Sequence, residues 1–168
     1  TNPISQSIMS TTSRLATVSA LLIAYVAANC DPGWRYLPST QSCYKLIDDQ
    51  LPWSVAEIRC LYQGGHHVSI ASYEENQFVH ETARHQEVWL GAAFFGSDYS
   101  YIYSDHTPFG YFEGWEFGGA RPSMNRARRC IKINDRGDWF QSCCKKLAAT
   151  VCKKAATPAW GNSNDLRA

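Results

Sequence analysis

Several patterns are missing from this chain of 168 residues, and each absence excludes a class of protein. After residue 30, no apolar run approaches the roughly 20 residues that a membrane-spanning helix needs. The sequence contains neither Gly-X-Ser-X-Gly nor Cys-X-X-Cys, so it lacks the nucleophile turn of a serine hydrolase and a thiol redox pair. Asn-X-Ser/Thr sequons and internal repeats are also absent. The lack of these catalytic motifs therefore argues against an enzyme.

Cysteine, in contrast, is abundant. The seven cysteines are Cys30, Cys43, Cys60, Cys130, Cys143, Cys144 and Cys152. They follow an apolar stretch typical of a secretory signal, and cysteines of exported proteins are usually paired because the export route is oxidising. A bridge between Cys30 and Cys43 would close a small loop and stabilise the fold by roughly 3 kcal/mol. The spacing thus predicts a secreted, extracellular protein with a disulfide framework.

The N-terminal region is interpreted as a processed segment. Met9 is the first methionine, so residues 1–8 are assigned to a leader or appended sequence. Residues 9–28 are predicted to be a signal peptide, with one arginine, an apolar stretch and small residues before the cleavage site. The alternative is a membrane anchor, for which the apolar stretch is too short. The domain would then cover residues 29–154, and residues 155–168 would form a disordered tail.

Charge is distributed unevenly along the sequence, although the formal net charge is only +1. Residues 31–120 contain twelve acids and four bases, a balance of −8. Residues 121–154 contain ten bases and two acids, a balance of +8. This asymmetry favours a basic surface that attracts anions.

Hydrophobic spacing and turn residues predict two helices among several short strands. The first helix runs from Pro52 to Tyr62, and a short strand follows over His66–Ile70. The second helix starts after an N-cap at Ser72, with Glu75 placed for a capping box, and ends near Arg84. Further strands are predicted at Val88–Ala93, Cys130–Ile133, Trp139–Phe140 and Ala148–Cys152.

The stretch from Gly96 to Ser123 has no helical period. Glycine, proline, serine and aspartate alternate there with aromatic residues. A loop of this length is usually functional or disordered. Its many aromatic residues favour an ordered loop whose rings pack as satellite cores.

In their order, these segments resemble a C-type lectin-like domain over residues 30–153. Cys30-Asp-Pro-Gly-Trp34 with Cys43-Tyr44 resembles the N-terminal hairpin of the long form. Further matching segments, in family order, are Trp53 with Ala56-Glu57 and Cys60, Gly64–Ile70, Glu75–Val79, Trp89-Leu90-Gly91, Ser104–Phe109 with Trp115, and Cys130, Trp139, Cys144 and Cys152. The resemblance implies an α+β, disulfide-linked fold with two helices packed on antiparallel sheets beside a long aromatic loop.

The resemblance also implies how the cysteines pair. The family places its last two framework cysteines eight positions apart, which selects Cys144 and not Cys143 as the relative of Cys152. The implied bridges are Cys30–Cys43, Cys60–Cys152 and Cys130–Cys144. Cys143 is left over, either as a buried or capped thiol or as the bridge of a disulfide-linked dimer.

The calcium-dependent sugar site of the family is not preserved. Relatives that bind sugar through calcium use a Glu-Pro-Asn or Gln-Pro-Asp triplet, an acid shortly before the third framework cysteine, and Trp-Asn-Asp, because calcium takes six to eight oxygen ligands. Here the corresponding positions hold Arg121-Pro122-Ser123, Arg128-Arg129 and Trp139-Phe140-Gln141. We expect no metal and no cofactor at this site. The family also implies a cis peptide before Pro122.

A basic site takes the place of the oxygen cage. The predicted ligand-binding residues are Arg121, Ser123, Arg126, Arg128, Arg129, Trp115 and Phe117. Guanidinium groups bind carboxylate, sulfate and phosphate bidentately, and aromatic rings stack on ligands. The alternative is that the arginines pair with Glu113, Glu116 and Asp105 and only fix the loop.

Two further motifs have simple interpretations. His66-His67 could bind a metal, but neighbouring strand residues point to opposite faces, so a structural role is expected. Arg136-Gly137-Asp138 spells an integrin-type tripeptide, which also arises by chance. The sequence thus predicts a secreted lectin-like module whose partner is a glycan, with a protein as the alternative. Neither nucleic-acid binding nor a membrane span is expected.

Overall fold

The computed structural model describes residues 28–96 and 100–158. Two helices lie in these ranges, α1 (Trp53–Tyr62) and α2 (Tyr73–Thr82). The strands are β1 (Ala28–Asn29), β2 (Arg35–Leu37), β3 (Ser42–Leu51), β4 (His66–His67), β5 (Val88–Ala93), β6 (Ile102–Tyr103), β7 (Cys130–Ile133), β8 (Trp139–Ser142), β9 (Ala148–Ala155) and β10 (Thr157–Pro158). A 3-10 turn spans Pro38–Thr40.

Eight of the strands form one sheet. Its order is β2-β3-β9-β5-β7-β8, with β4 on β9 and β6 on β5. β5 and β9 run parallel, whereas the other described pairs are antiparallel. The predicted α+β fold with two helices is confirmed, except that the sheet is mixed. A second, two-stranded sheet joins β1 to β10.

α2 begins after Ser72 as predicted, and α1 begins at Trp53, one residue after the predicted start at Pro52. Pro52 stands directly before α1, and the Trp53 amide is capped by the Cys144 carbonyl at 3.0 Å. At α2, the Ser72 hydroxyl accepts from the Glu75 amide at 3.1 Å. The Glu75 carboxylate accepts from the Ala71 amide, one residue earlier than a capping box requires. The predicted C-terminal end of the second helix at Arg84 is wrong, because α2 ends at Thr82.

Several strand boundaries differ from the prediction. β4 covers only His66–His67, although the Val68 amide still bonds to the Val151 carbonyl. β9 continues to Ala155, and β10 pairs with β1, so regular structure extends past residue 154. Residues 1–27 and 159–168, with most of the predicted signal peptide and tail, lie outside the described residues. No helix of the described part is long and apolar enough to cross a membrane.

All three predicted disulfides are confirmed. They are Cys30–Cys43, Cys60–Cys152 and Cys130–Cys144. Cys60 lies on α1 and Cys152 on β9, so this bridge fixes the helix to the centre of the sheet. Cys143 is a free, half-buried thiol.

Several aromatic residues of the long loop belong to the main core. Tyr101, Tyr103 and Trp115 are buried in the same cluster as Leu90 and Ile131. The prediction of separate satellite cores is therefore wrong, because the loop folds back onto the face of β5 and β7. This packing holds the loop, and the residues at its tip, in a fixed position beside β8.

Candidate functional site

A cavity of about 500 Å³ lies between the long loop and the edge of the sheet at β8. Its lining residues are Trp115, Glu116, Phe117, Ala120, Arg121, Pro122, Ser123, Arg128, Trp139, Phe140 and Gln141. Two backbone hydrogen bonds join the loop to β8, from the Trp139 amide to the Gly114 carbonyl (2.7 Å) and from the Glu116 amide to the Trp139 carbonyl (3.1 Å). The cavity therefore forms where the loop extends past the sheet edge.

Two tryptophans make the floor of the cavity. The rings of Trp115 and Trp139 meet edge to face with centroids 5.9 Å apart. The Trp139 indole donates to Asn76 Oδ1 at 2.8 Å, and the Trp115 indole donates to Glu113 Oε2 at 2.5 Å. Because only 3% of Trp115 is exposed, its ring has no free face on which a ligand could stack. Trp115 therefore supports the site from below.

Arg121 is held by an ion pair within the loop. Its Nε donates to Glu113 Oε2 at 2.7 Å, and its Nη2 donates to Glu113 Oε1. The guanidinium lowers the pKa of the Glu113 carboxyl, and the same hydrogen bonds raise the pKa of Arg121. The ring of Phe109 lies 5.4 Å below the guanidinium carbon. At Arg121 the guanidinium thus pairs within the chain and fixes the loop, as the alternative interpretation predicts. Glu116 and Asp105 do not take part in this pair.

Arg128 lines the same cavity, but its side chain is not paired in the way that Arg121 is. Its backbone closes a turn with Asn125, whose carbonyl accepts from the Arg128 amide at 2.8 Å. The side chain is exposed and lines the cavity. Within residues 28–96 and 100–158, its guanidinium has no hydrogen bond or ion pair. Arg128 is therefore available to a ligand.

The other predicted arginines lie beside the cavity and do not line it. Arg129 donates from Nε to the Arg126 carbonyl at 3.0 Å, and its guanidinium lies 5.8 Å from the Phe94 ring centroid. Ser123 lines the cavity, and its carbonyl accepts from Gln141 Nε2 at 3.1 Å. The predicted set is thus brought to one region, with Arg121, Ser123, Arg128, Trp115 and Phe117 at the cavity itself.

Phe117 stands at the rim in an unusual backbone conformation. Its φ is +56°, and φ is also positive at Gly118 and Gly119. A left-handed conformation is costly for a residue with a side chain, by about 1–2 kcal/mol. Phe117 is nevertheless 91% exposed, so burial of its ring does not offset the free-energy cost of this conformation. Strained residues of this kind concentrate at binding and catalytic sites.

The family model described as "Lectin C-type domain" matches residues 49–154, more than half of the chain. The protein belongs to the C-type lectin domain family. A protein named "Lectin" from Pleurodeles waltl is 31% identical over 137 residues, which cover 74% of this chain and 76% of that relative.

A solved structure of a "calcium-independent type II antifreeze protein" is also similar to this C-type lectin domain. It superposes with a TM-score of 0.71 at 25% identity, over 79% of this chain and 98% of that one. "Lymphocyte antigen 75" of Mesocricetus auratus is 29% identical over 135 residues and 77% of this chain. The chain spans only 8% of that relative's length. Proteins named as lectins, receptors and antifreeze proteins are thus all similar to this domain.

The site of this C-type lectin domain differs from a calcium cage in its chemistry. Arg121, Ser123, Arg128 and Arg129 occupy the positions that the resemblance assigns to oxygen ligands. Among the described residues, no group of three or more histidine, cysteine or acidic side chains is placed to hold a metal ion. No cis peptide bond occurs there, so the peptide before Pro122 is trans, contrary to the expectation.

Six residues that line the cavity are not among the predicted ligand-binding residues, namely Glu116, Ala120, Pro122, Trp139, Phe140 and Gln141. Gln141, on β8, lines the cavity and donates to both the Ser123 carbonyl and the Tyr101 hydroxyl, at 3.1 and 2.9 Å. It connects the sheet to the loop tip. Gln141 could have been found from its position two residues after Trp139, because residues two apart on a strand point to the same face.

The two remaining motifs have structural roles in their surroundings. His66 Nδ1 lies 2.7 Å from Glu57 Oε1, whereas His67 is fully buried, so the two rings point apart as predicted. In the tripeptide, Arg136 Nε lies 3.4 Å from Asp138 Oδ2, and Gly137 is buried against His80. The two charged side chains therefore pair with each other on the turn between β7 and β8.

Proposed function

We propose that this domain is a secreted, non-enzymatic binding module that recognises anionic carbohydrate without calcium. The observation that carries the proposal is the exposed guanidinium of Arg128 in the same cavity as the exposed ring of Phe117. A guanidinium binds sulfate or carboxylate bidentately, and an aromatic ring offers an apolar face to the C–H side of a sugar. Secretion is supported by the three disulfides, which persist in oxidising compartments.

The size and charge of the cavity fit this class of ligand. A volume of about 500 Å³ lies within the 300–1,000 Å³ typical of small-molecule sites. Glu116 is the acid that lines it, and the Arg121 guanidinium is already neutralised by Glu113. Arg128 is therefore the group that would meet a ligand anion, with Arg129 beside the cavity.

Heparin affinity chromatography tests the proposal with matched variants. We expect Arg128→Ser to elute at lower salt than the wild type, because one charge-assisted contact is worth about 1.5–3 kcal/mol. Arg136→Ser is the control, since Arg136 is an exposed arginine outside the cavity and its loss changes the net charge equally. Arg121→Ser is unsuitable, because it would leave Glu113 without its charged partner and disturb the loop.

Two outcomes would contradict the proposal. Equal elution of Arg128→Ser and Arg136→Ser would assign heparin binding to general positive charge and not to the cavity. Binding of sulfated or sialylated glycans on an array that vanishes with chelator would contradict calcium independence. Phe117→Ser provides the second test, because loss of glycan binding without a change in net charge reports the stacking contact alone.

Recognition of a protein is the second candidate, favoured by the exposed aromatic side chains of the loop. Tyr111 and Phe117 are largely exposed, and large exposed aromatic residues are typical of protein interfaces. A pull-down from tissue fluid separates the two functions. A protein captured by the wild type and by Arg128→Ser, but not by Phe117→Ser, would favour protein recognition.

A further inference from the structure

The outer face of α1 carries a continuous apolar stripe. Val55, Ile58, Leu61 and Tyr62 are all exposed, with 49% of Ile58 and 83% of Tyr62 accessible. Their spacing of three and four residues places them on one side of the helix. The opposite side, formed by Trp53, Ala56 and Cys60, is buried against the sheet. α1 is thus apolar on both its inner and its outer face.

This stripe is distinct from the scattered apolar residues of an ordinary surface. Four of the ten large hydrophobic side chains exposed in the described ranges lie on this one helix of ten residues. Single exposed apolar residues need no explanation, but contiguous patches mark interaction sites. A helix that is hydrophobic all round is normally buried on all sides. None of the stripe residues lines the cavity of the candidate site.

We propose that the stripe is a self-association surface on which α1 of a second copy of this chain docks about a two-fold axis. A single face that pairs with itself is the rule in symmetric dimers. The stripe exposes on the order of 500 Å² per copy, so a pair would bury about 1,000 Å², an area typical of weak, reversible association. The formal net charge of +1 opposes such pairing only weakly.

The charges around the stripe favour a second copy over an anionic lipid surface. Arg59 lies at the edge of the stripe and is 3.9 Å from Asp49, which forms a polar rim with it. Glu57, on the other edge, pairs with His66. These flanking charges are mixed in sign and paired within the chain, so they offer no complement to an anionic membrane. An apolar centre with a polar rim is the usual anatomy of a protein interface.

Sedimentation equilibrium tests the proposal, with every variant made in a Cys143→Ser background so that disulfide-linked dimers cannot form. We expect a reversible monomer–dimer equilibrium with a dissociation constant on the order of micromolar, as small interfaces give. Ile58→Glu should weaken it at least tenfold, and Leu61→Glu provides a second variant. Ile102→Glu is the matched control, because Ile102 is an isoleucine of similar exposure (55%) on β6.

The outcomes are decisive in either direction. Far-UV circular dichroism and thermal unfolding first verify that each glutamate variant is folded. A protein that stays monomeric at about 200 μM, far above the expected dissociation constant, overturns the proposal, as does a dimer that Ile58→Glu leaves intact. A monomer that sediments with phosphatidylcholine or phosphatidylserine vesicles, and loses this with Ile58→Glu, would assign the stripe to lipid instead.

Discussion

His67 is kept neutral by burial, and two hydrogen bonds hold its ring in place. Its Nε2 donates to the Trp53 carbonyl at 2.9 Å, and its Nδ1 accepts from the Thr150 hydroxyl at 2.5 Å. Removal from water disfavours the charged ring and lowers its pKa to about 4, against a contribution from Glu57 that favours the charge. Protonation of His67 would also take away the acceptor that Thr150 needs.

We expect stability to fall in acid because of this residue. The unfolded ring has a pKa near 6.5. The unfolded state therefore binds a proton first, and stability is fully present above pH 6.5 and is lost progressively as pH falls toward 4. The loss reaches about 3 kcal/mol at most, from the pKa difference between the two states.

Urea unfolding at pH 7 and pH 5 measures this effect. His67→Gln should reduce the pH dependence, whereas His106→Gln, which replaces an exposed histidine, should keep it. An unchanged dependence in His67→Gln would mean that other groups cause the acid sensitivity. The alternation of His66 and His67 could be predicted from strand geometry, but Thr150 could not, because it lies 83 residues away.

At the scale of secondary-structure elements, one buried ion pair joins β9 to α2. Lys153 on β9 donates to Glu75 Oε1 at 2.6 Å and to both the carbonyl and the hydroxyl of Ser69 at 3.1 Å. The same carboxylate oxygen accepts from the Tyr44 hydroxyl of β3 at 2.6 Å. Glu75 is buried, so its charge depends on these partners.

Lys153→Met should destabilise the protein by about 3–5 kcal/mol, because removal of one partner leaves an uncompensated buried carboxylate. Chemical denaturation measures the loss. Lys154→Met is the matched control on the next residue, since its carboxylate partner Asp31 is mostly exposed and such a pair is worth about 1 kcal/mol or less. Adding Glu75→Gln to Lys153→Met should recover part of the stability, and no recovery would indicate that packing, not charge, was lost.

Ion pairs of this kind, between distant elements, partly neutralise the charge asymmetry along the sequence. Four bases of residues 121–154, namely Arg121, Lys132, Lys153 and Lys154, pair with acids of residues 31–120. Helix positions followed from local spacing and capping, and the sequence therefore predicted them well. The expectation of one basic surface holds only in part, because ion pairs between distant residues depend on the tertiary fold. For the same reason, the sequence could not show that Arg121 is paired with Glu113, whereas the Arg128 guanidinium has no hydrogen bond or ion pair among the described residues.

At the scale of the whole molecule, the resemblance to a family supplied what local patterns could not. Helical and strand periods alone leave the pairing of seven cysteines open, yet the family spacing predicted all three bridges. Five of the residues that the resemblance assigned to ligand binding line the cavity, namely Trp115, Phe117, Arg121, Ser123 and Arg128, and their role in binding stays a prediction. The resemblance did not predict the trans peptide before Pro122 or the burial of Trp115.

The three bridges should contribute unequally to stability. Cys60–Cys152 closes a separation of 92 residues and Cys30–Cys43 one of 13. By loop-closure entropy, the long bridge should contribute about 4–5 kcal/mol and the short one about 3 kcal/mol. Urea unfolding of the Cys60→Ala, Cys152→Ala and the Cys30→Ala, Cys43→Ala double variants measures both. Because Cys60 and Cys152 are fully buried, lost packing adds to the first value. A smaller loss for the long bridge than for the short one would show that chain entropy does not govern the stability of this domain.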